Sequence, residues 1–328
     1  MFAMLAGAWP RVTADGIRLE ELEAGAAAGR VPPAELEAAV DRAVAEAVAA
    51  QVEAGMGLVT DGDVRWADPA RALLAALLDV DTGMDGMLVR AWTAAADLTE
   101  SPVAARITGP WSLALLDVGG RGDATVVPGR AGELADTLAG ELGALAAAGC
   151  PVVVVDEPAA VAIGEDAAAR GGFTRAQRRL LRRTPDLHAM LAISGGSAAA
   201  AGAETIVNAP YASFLFDLLA GPDNWNLVRA AAPERGIVCA ALAAGDGREA
   251  IDQSPQLVWA ARYAASSGGR GLERVGLANA SSLAGLSPVE ARRALDALGR
   301  AAAFATLPPA DAIAAGLDRR TFTSNPYG

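Results

Sequence analysis

Cys150-Pro151-Val152-Val153-Val154-Val155-Asp156-Glu157-Pro158 holds four valines in a row between two prolines. Four consecutive valines cannot alternate between a wet and a dry face, so they read as a strand buried on both sides. Strands of that kind belong to parallel sheets covered by helices. Polar residues follow the valines directly. In a barrel, the residues just past each strand's carboxyl end converge on one mouth, which makes Asp156 and Glu157 the first candidates for a site.

On either side of it, seven more segments read as strands. The full set is residues 2–8, 57–61, 104–108, 152–156, 187–193, 204–208, 236–242 and 274–278. Alanine-rich helical segments alternate with them, at residues 33–53, 68–78, 132–148, 174–182, 196–202, 223–232, 254–267 and 287–304. Eight such units predict an α/β fold, a single (β/α)8 TIM barrel over residues 1–328 with a C-terminal tail at 306–328. Residues 86–96 read as a small extended excursion after strand 2. An open doubly wound sheet is the rival, but no GxGxxG follows the first strand.

Composition narrows the function. Hydrophobic residues are 52% of the 328 and charged ones 20%, enough for a large core and against disorder. The formal charge of −12 argues against nucleic acid and anionic membrane as partners. All 27 basic residues are arginine, so Schiff-base lysines and P-loop lysines are excluded. Cys150 and Cys239 form neither a CxxC pair nor a disulfide framework, and a cytoplasmic location is expected. Residues 1–10 are apolar but short for a signal peptide, and no uninterrupted apolar run suggests a membrane span.

Four motifs occur in order on successive strands. They are Gly7-Ala8-Trp9-Pro10-Arg11, then Gln51 to Gly55 leading into Asp61-Gly62-Asp63-Val64-Arg65, then Thr108-Gly109-Pro110, and Gly149-Cys150 leading into Asp156-Glu157-Pro158-Ala159. In this order they resemble the C-terminal catalytic barrel of the cobalamin-independent methionine synthases, within a superfamily that includes uroporphyrinogen decarboxylase. The resemblance implies methyl transfer from methyltetrahydrofolate to homocysteine on zinc, within methionine biosynthesis. It also implies that Asp156, helped by Asp63, holds the ammonium of an amino-acid-like substrate.

The family's zinc ligands do not recur in the same places. Its His-x-Cys on strand five corresponds here, depending on register, to Met190, Ala192 or Ile193, and Gly195, with His188 deeper in the strand. Asn208 stands where the strand-six glutamate is expected, and Ser281 stands in place of the last cysteine. Zinc in such a site needs about four ligands, with thiolate among them. The expectation is therefore a barrel with no metal and no resident cofactor, with a folate methyl donor still open.

Each residue carries a functional and a structural reading. His188 can be a ligand or proton carrier, or a histidine satisfied within its strand. The cysteines read as small buried hydrophobes. Trp9, Trp66 and Trp111 follow strands, where they can stack on a flat ligand or pack the rim. Arg11 and Arg65 can grip a substrate carboxylate or make salt bridges, and Glu157 can pair with an arginine such as Arg11. The arginines between 175 and 183 read as a solvated helix face.

The expected function is a divergent methyltransferase with Asp63 and Asp156 in acid–base or positioning roles and Trp9, Arg11, Trp111, Glu157, Asn208 and Ser281 lining the pocket. A metal-independent decarboxylase or lyase and a non-catalytic small-molecule-binding barrel are the alternatives. The sequence leaves the oligomeric state open.

Overall fold

Short, fully apolar runs separated by long alanine-rich segments leave one economical arrangement, a parallel sheet wrapped in helices. A computed structural model gives this arrangement and describes residues 1–13, 15–79, 84, 86–119, 124–245, 247 and 251–322. The strands are β1 (Phe2–Met4), β2 (Ala104–Thr108), β3 (Val152–Asp156), β4 (His188–Ile193), β5 (Ser213–Asp217), β6 (Gly236–Leu242) and β7 (Val275–Asn279). They form one curled sheet in the order β1-β7-β6-β5-β4-β3-β2, with every pair parallel.

The helices are α1 (Leu19–Ala27), α2 (Pro33–Glu53), α3 (Pro69–Leu78), α4 (Met87–Ala96), α5 (Pro110–Val118), α6 (Val127–Ala147), α7 (Ala167–Leu181), α8 (Ala203–Ile206), α9 (Trp225–Ala230), α10 (Ser254–Ser266), α11 (Pro288–Thr306) and α12 (Pro309–Ala314). Among the described residues, no helix is long and apolar enough to cross a membrane. Capping chemistry places several starts. Asp68 accepts from the Arg71 amide, Asp166 from the Ala169 amide, and Ser287 and Glu290 form a capping box.

Three expectations need correction. Residues 86–96 are not extended, because Leu88, Ala91 and Ala95 recur at helical spacing and bury one face of α4. Residues 204–208 are not a strand. Thr205, Ile206 and Val207 are β-branched and buried, but a short helical turn takes them, and the strand is Ser213–Asp217.

The eighth strand, at 57–61, is reduced to two single parallel bridges, Met4 with Leu58 and Val59 with Val103. Seven strands therefore form the sheet, and residues 58–59 span the gap between β1 and β2. The Gln51 side chain explains why the ladder stops there. Its amide donates to the Thr60 carbonyl at 2.8 Å and accepts from the Thr60 N–H at 3.0 Å, doing for Thr60 what a neighbouring strand would do.

Alternate residues of each strand face opposite sides. One set packs outward against the helices, for example Ile107, Val153, Val155 and Leu191. The other set, including Met4, Leu58, Val154, Met190 and Leu215, forms a separate cluster inside the curl. Several inward positions are small, such as Ala104, Ala192, Ala240 and Ala278, so the interior is filled at mid-height but hollow at its ends.

Candidate active site at the carboxyl-terminal mouth

Arg106 lies on β2 in the same inward set as Ala104, and its guanidinium reaches the mouth between two carboxylates. Nη2 donates to Asp156 Oδ2 at 2.8 Å, and Nη1 donates to Asp63 Oδ2. The Arg106 side chain is 9% exposed. Burial works against its cation, but Asp63, Asp156 and Asp61 outweigh that and hold its pKa above the ordinary value.

The turn Asp61-Gly62-Asp63 aims Asp63 at this arginine. Gly62 has φ +72° and Asp63 has φ +52°, a left-handed pair that aspartate tolerates better than most residues. The Asp61 carboxylate accepts from the Asp63 N–H at 3.0 Å and fixes the turn. A side chain at 62 would meet the Cβ atoms of Ala47 and Trp9, both at 2.9 Å. Burial, reinforced by the charge of Asp63, pushes the Asp61 carboxyl up to about 6.

Asp156 ends β3, and burial raises its carboxyl against the pull of Arg106. Its Oδ1 is buried and has no hydrogen-bond partner. A cavity of about 160 Å³ opens beside it, walled by Gly7, Arg106, Asp156, Ser194 and Asn279. A second of about 240 Å³ lies on the side of Asp63, Asp68 and Pro158, sharing Gly7, Arg106 and Asp156. The Arg106–Asp156 pair is thus the wall between two cavities.

Glu157 points the other way, as its adjacency to Asp156 requires. It is fully buried and accepts from the N–H groups of Trp111 and Ser112 at 2.9 and 2.7 Å, the Ser112 hydroxyl at 2.6 Å and the Gln177 amide at 2.7 Å. It therefore caps the amino end of α5 from a neighbouring strand, where the helix dipole favours negative charge. Gly109 is needed for that approach, since a Cβ there would lie 2.3 Å from the carboxyl group. Burial pushes this carboxyl up to about 7 despite the donors.

The other expected site residues are placed as follows. Trp9 is fully buried beneath the 61–63 turn, its backbone N–H donating to Gly62 O at 2.8 Å while its indole N–H has no hydrogen-bond partner among the described residues. Trp111 is buried edge-on against Phe173. Arg11 is buried and bonds Val64 O at 3.0 Å and the carboxylates of Glu20 and Glu23, so it does not pair with Glu157. Arg65 pairs with Asp41.

Asn208 is exposed in the turn after α8, away from any strand end, because the strand it was assigned to is a helix; Asp217 ends β5 instead and accepts from the amides of Gly195, Leu219 and Ala220. Ser281 is exposed, and its carbonyl accepts from Asn279. Arg106 was missed because an arginine inside a short apolar strand gives no motif; its shared inward face with Asp156 was the signal. Asn279 was passed over as well, although it is fully buried and replaces a strand partner for Ala6, accepting from its N–H at 2.9 Å.

The soft donors do not converge on the mouth. His188 begins β4 at the opposite end of the sheet, Cys150 precedes β3, and Cys239 packs outward with its thiol toward Ala260 O at 3.8 Å. Burial pushes the Cys239 thiol up to about 12. Among the described residues, no three of His, Cys, Asp or Glu stand together so as to hold a metal ion. The residues present do not fit a thiolate zinc centre at this mouth.

No family model matches the sequence, and no curated protein matches it significantly. Solved structures do match in shape. A B12-independent methionine synthase from Shewanella sp. W3-18-1, in complex with selenomethionine, superposes with a TM-score of 0.73 at 13% identity, over 92% of this chain and 96% of that one. A candidate vitamin-B12-independent methionine synthase from Listeria monocytogenes gives 0.68 at 16% identity, over 92% and 97%. A methyltransferase from Methanosarcina mazei gives 0.57 at 11% identity, over 91% and 93%. At these identities the likeness establishes the fold, a helix-wrapped parallel sheet of barrel type shared along nearly the whole chain.

Proposed function

We propose that the chain is a methyltransferase-type barrel whose carboxyl-terminal mouth binds a small amino-acid-like molecule. The observation that carries this reading is Asp156 Oδ1, a buried acceptor without a donor on the wall of a cavity. Leaving such an atom unpaired costs about 1–3 kcal/mol, and a ligand N–H would recover that. Charge points the same way. Asp61, Asp63 and Asp156 face one guanidinium, so the cluster is net negative and an ammonium is its natural complement.

Arg106 locks the Asp156 carboxylate from one side so that Oδ1 is held toward the ligand, a positioning role that limits the freedom lost on binding. A methyl donor, a folate among them, would approach from the second cavity, across the Arg106–Asp156 wall. The placement of His188, Cys150 and Cys239 away from the mouth favours a second reading, a barrel that binds the amino acid without thiol chemistry. Calorimetric titration with methionine and N-acetylmethionine tests the common premise. Methionine should bind and the acetylated form, which has lost its cation, should bind at least about tenfold more weakly; equal affinities would overturn the reading.

A further inference from the structure

The larger hollow is at the other end of the sheet. A cavity of about 520 Å³ opens at the amino-terminal ends of the strands, among Phe2, Leu58, Val152, His188, Met190 and Val238. It exists because the inward positions there are small. Ser213 and Gly236 start β5 and β6, and a side chain at 236 would lie 2.8 Å from the Ser213 Cβ. The Phe2 ring lies over Gly276, where a Cβ would sit 2.7 Å from it. Val152 lines this cavity and Asp156 lines the mouth, four residues along one strand, so the two sites are about 13 Å apart.

The walls are mostly apolar, with one polar anchor. His188 Nε2 is 2.9 Å from the Ser213 hydroxyl, and Ser213 is 3% exposed. That bond uses Nε2, which leaves Nδ1 of the same ring on an exposed residue of the cavity lining. Whichever tautomer the serine bond selects, Nδ1 is left as either a donor or an acceptor, and a hydroxyl group satisfies both cases. Desolvation of the ring at the cavity wall lowers the His188 pKa, which favours the neutral form, although the residue as a whole is exposed. The other charges at the cavity are Glu234, Glu273 and Arg274, with Arg274 already donating to Glu273 at 2.8 Å, so nothing there favours an anion.

We propose that this amino-terminal cavity is a second binding pocket, taking an uncharged molecule with an apolar body and one hydroxyl group that hydrogen-bonds to His188. Its size falls within the range of small-molecule sites. The proposal is independent of the mouth.

The chain has a single histidine, so its imidazole proton resonances report on this pocket alone. Titrating the intact protein with 1-naphthol should shift them saturably. Naphthalene, which lacks the hydroxyl, and 1-naphthoate, which adds a charge, should each bind about tenfold more weakly or worse. Ala212→Trp, at the cavity wall, should remove the naphthol response. Unmoved His188 resonances at saturating naphthol, or naphthoate binding as tightly as naphthol, would overturn the proposal in the wild-type protein, whatever the folding of the variant.

Discussion

Arg106 donates to Asp156 Oδ2 at 2.8 Å and leaves Oδ1 of the same carboxylate buried without a partner. One half of the carboxylate is therefore structural, and the hydrogen-bonding capacity of the other half is unused. Asp63, on the far side of the guanidinium, completes a half-buried cluster in which one cation serves several acids.

Removing that cation should be costly where the acids are ionised. Arg106→Met leaves the half-buried carboxylates unneutralised, with an expected loss of about 2 kcal/mol at pH 8. At pH 5 the loss should be smaller, because Asp61 and Asp156 already have raised pKa values and would take up protons once the arginine is gone. Urea denaturation at the two pH values checks this; equal losses would contradict it.

Glu157 predicts a pH dependence of its own. Its carboxyl is raised from 4.5 to about 7 by burial, so the folded protein keeps a proton that the unfolded chain releases. Stability should therefore fall as pH rises from about 4.5 to 7 and level off above, by at most about 3 kcal/mol from this group. Asp61 acts in the same direction up to about 6. Glu157→Gln cannot ionise, and its NH2 confronts the N–H of Trp111 or Ser112. It should be less stable than wild type by about 2 kcal/mol at pH 5, with the gap narrowing toward pH 8.

Gln51 tests how the gap in the sheet is closed. Gln51→Leu keeps the bulk but leaves both the N–H and the C=O of buried Thr60 without the amide, at an expected cost of about 3 kcal/mol in thermal or urea unfolding. An unchanged midpoint would mean that the 57–61 segment is held by its bridges alone.

The elements that were legible share a physical cause. Strands β2, β3 and β6 were read to the residue, because each is a short run bounded by a turn signal such as Gly109-Pro110 or Pro151. Strand β5 was missed because Thr205-Ile206-Val207 carries the same β-branched signal, and only tertiary packing made it helical. Within the site, Asp63 and Asp156 were legible as polar residues after strands. Arg106 was not, since its role depends on the register that sets β2 beside β3, with Thr108 opposite Asp156. Trp9, Trp111 and Glu157 looked like mouth residues by sequence position, but the side-chain direction at each places it in the packing beneath.

The affinity of Asp156→Asn for methionine is the most direct test of the mouth site. The substitution keeps the size of the side chain and removes its charge. A loss of about tenfold or more is expected in calorimetric titration at pH 7.5, with the fold retained. Methionine binding as tight as in the wild type would contradict it, and the unpartnered oxygen would then have no part in holding a ligand.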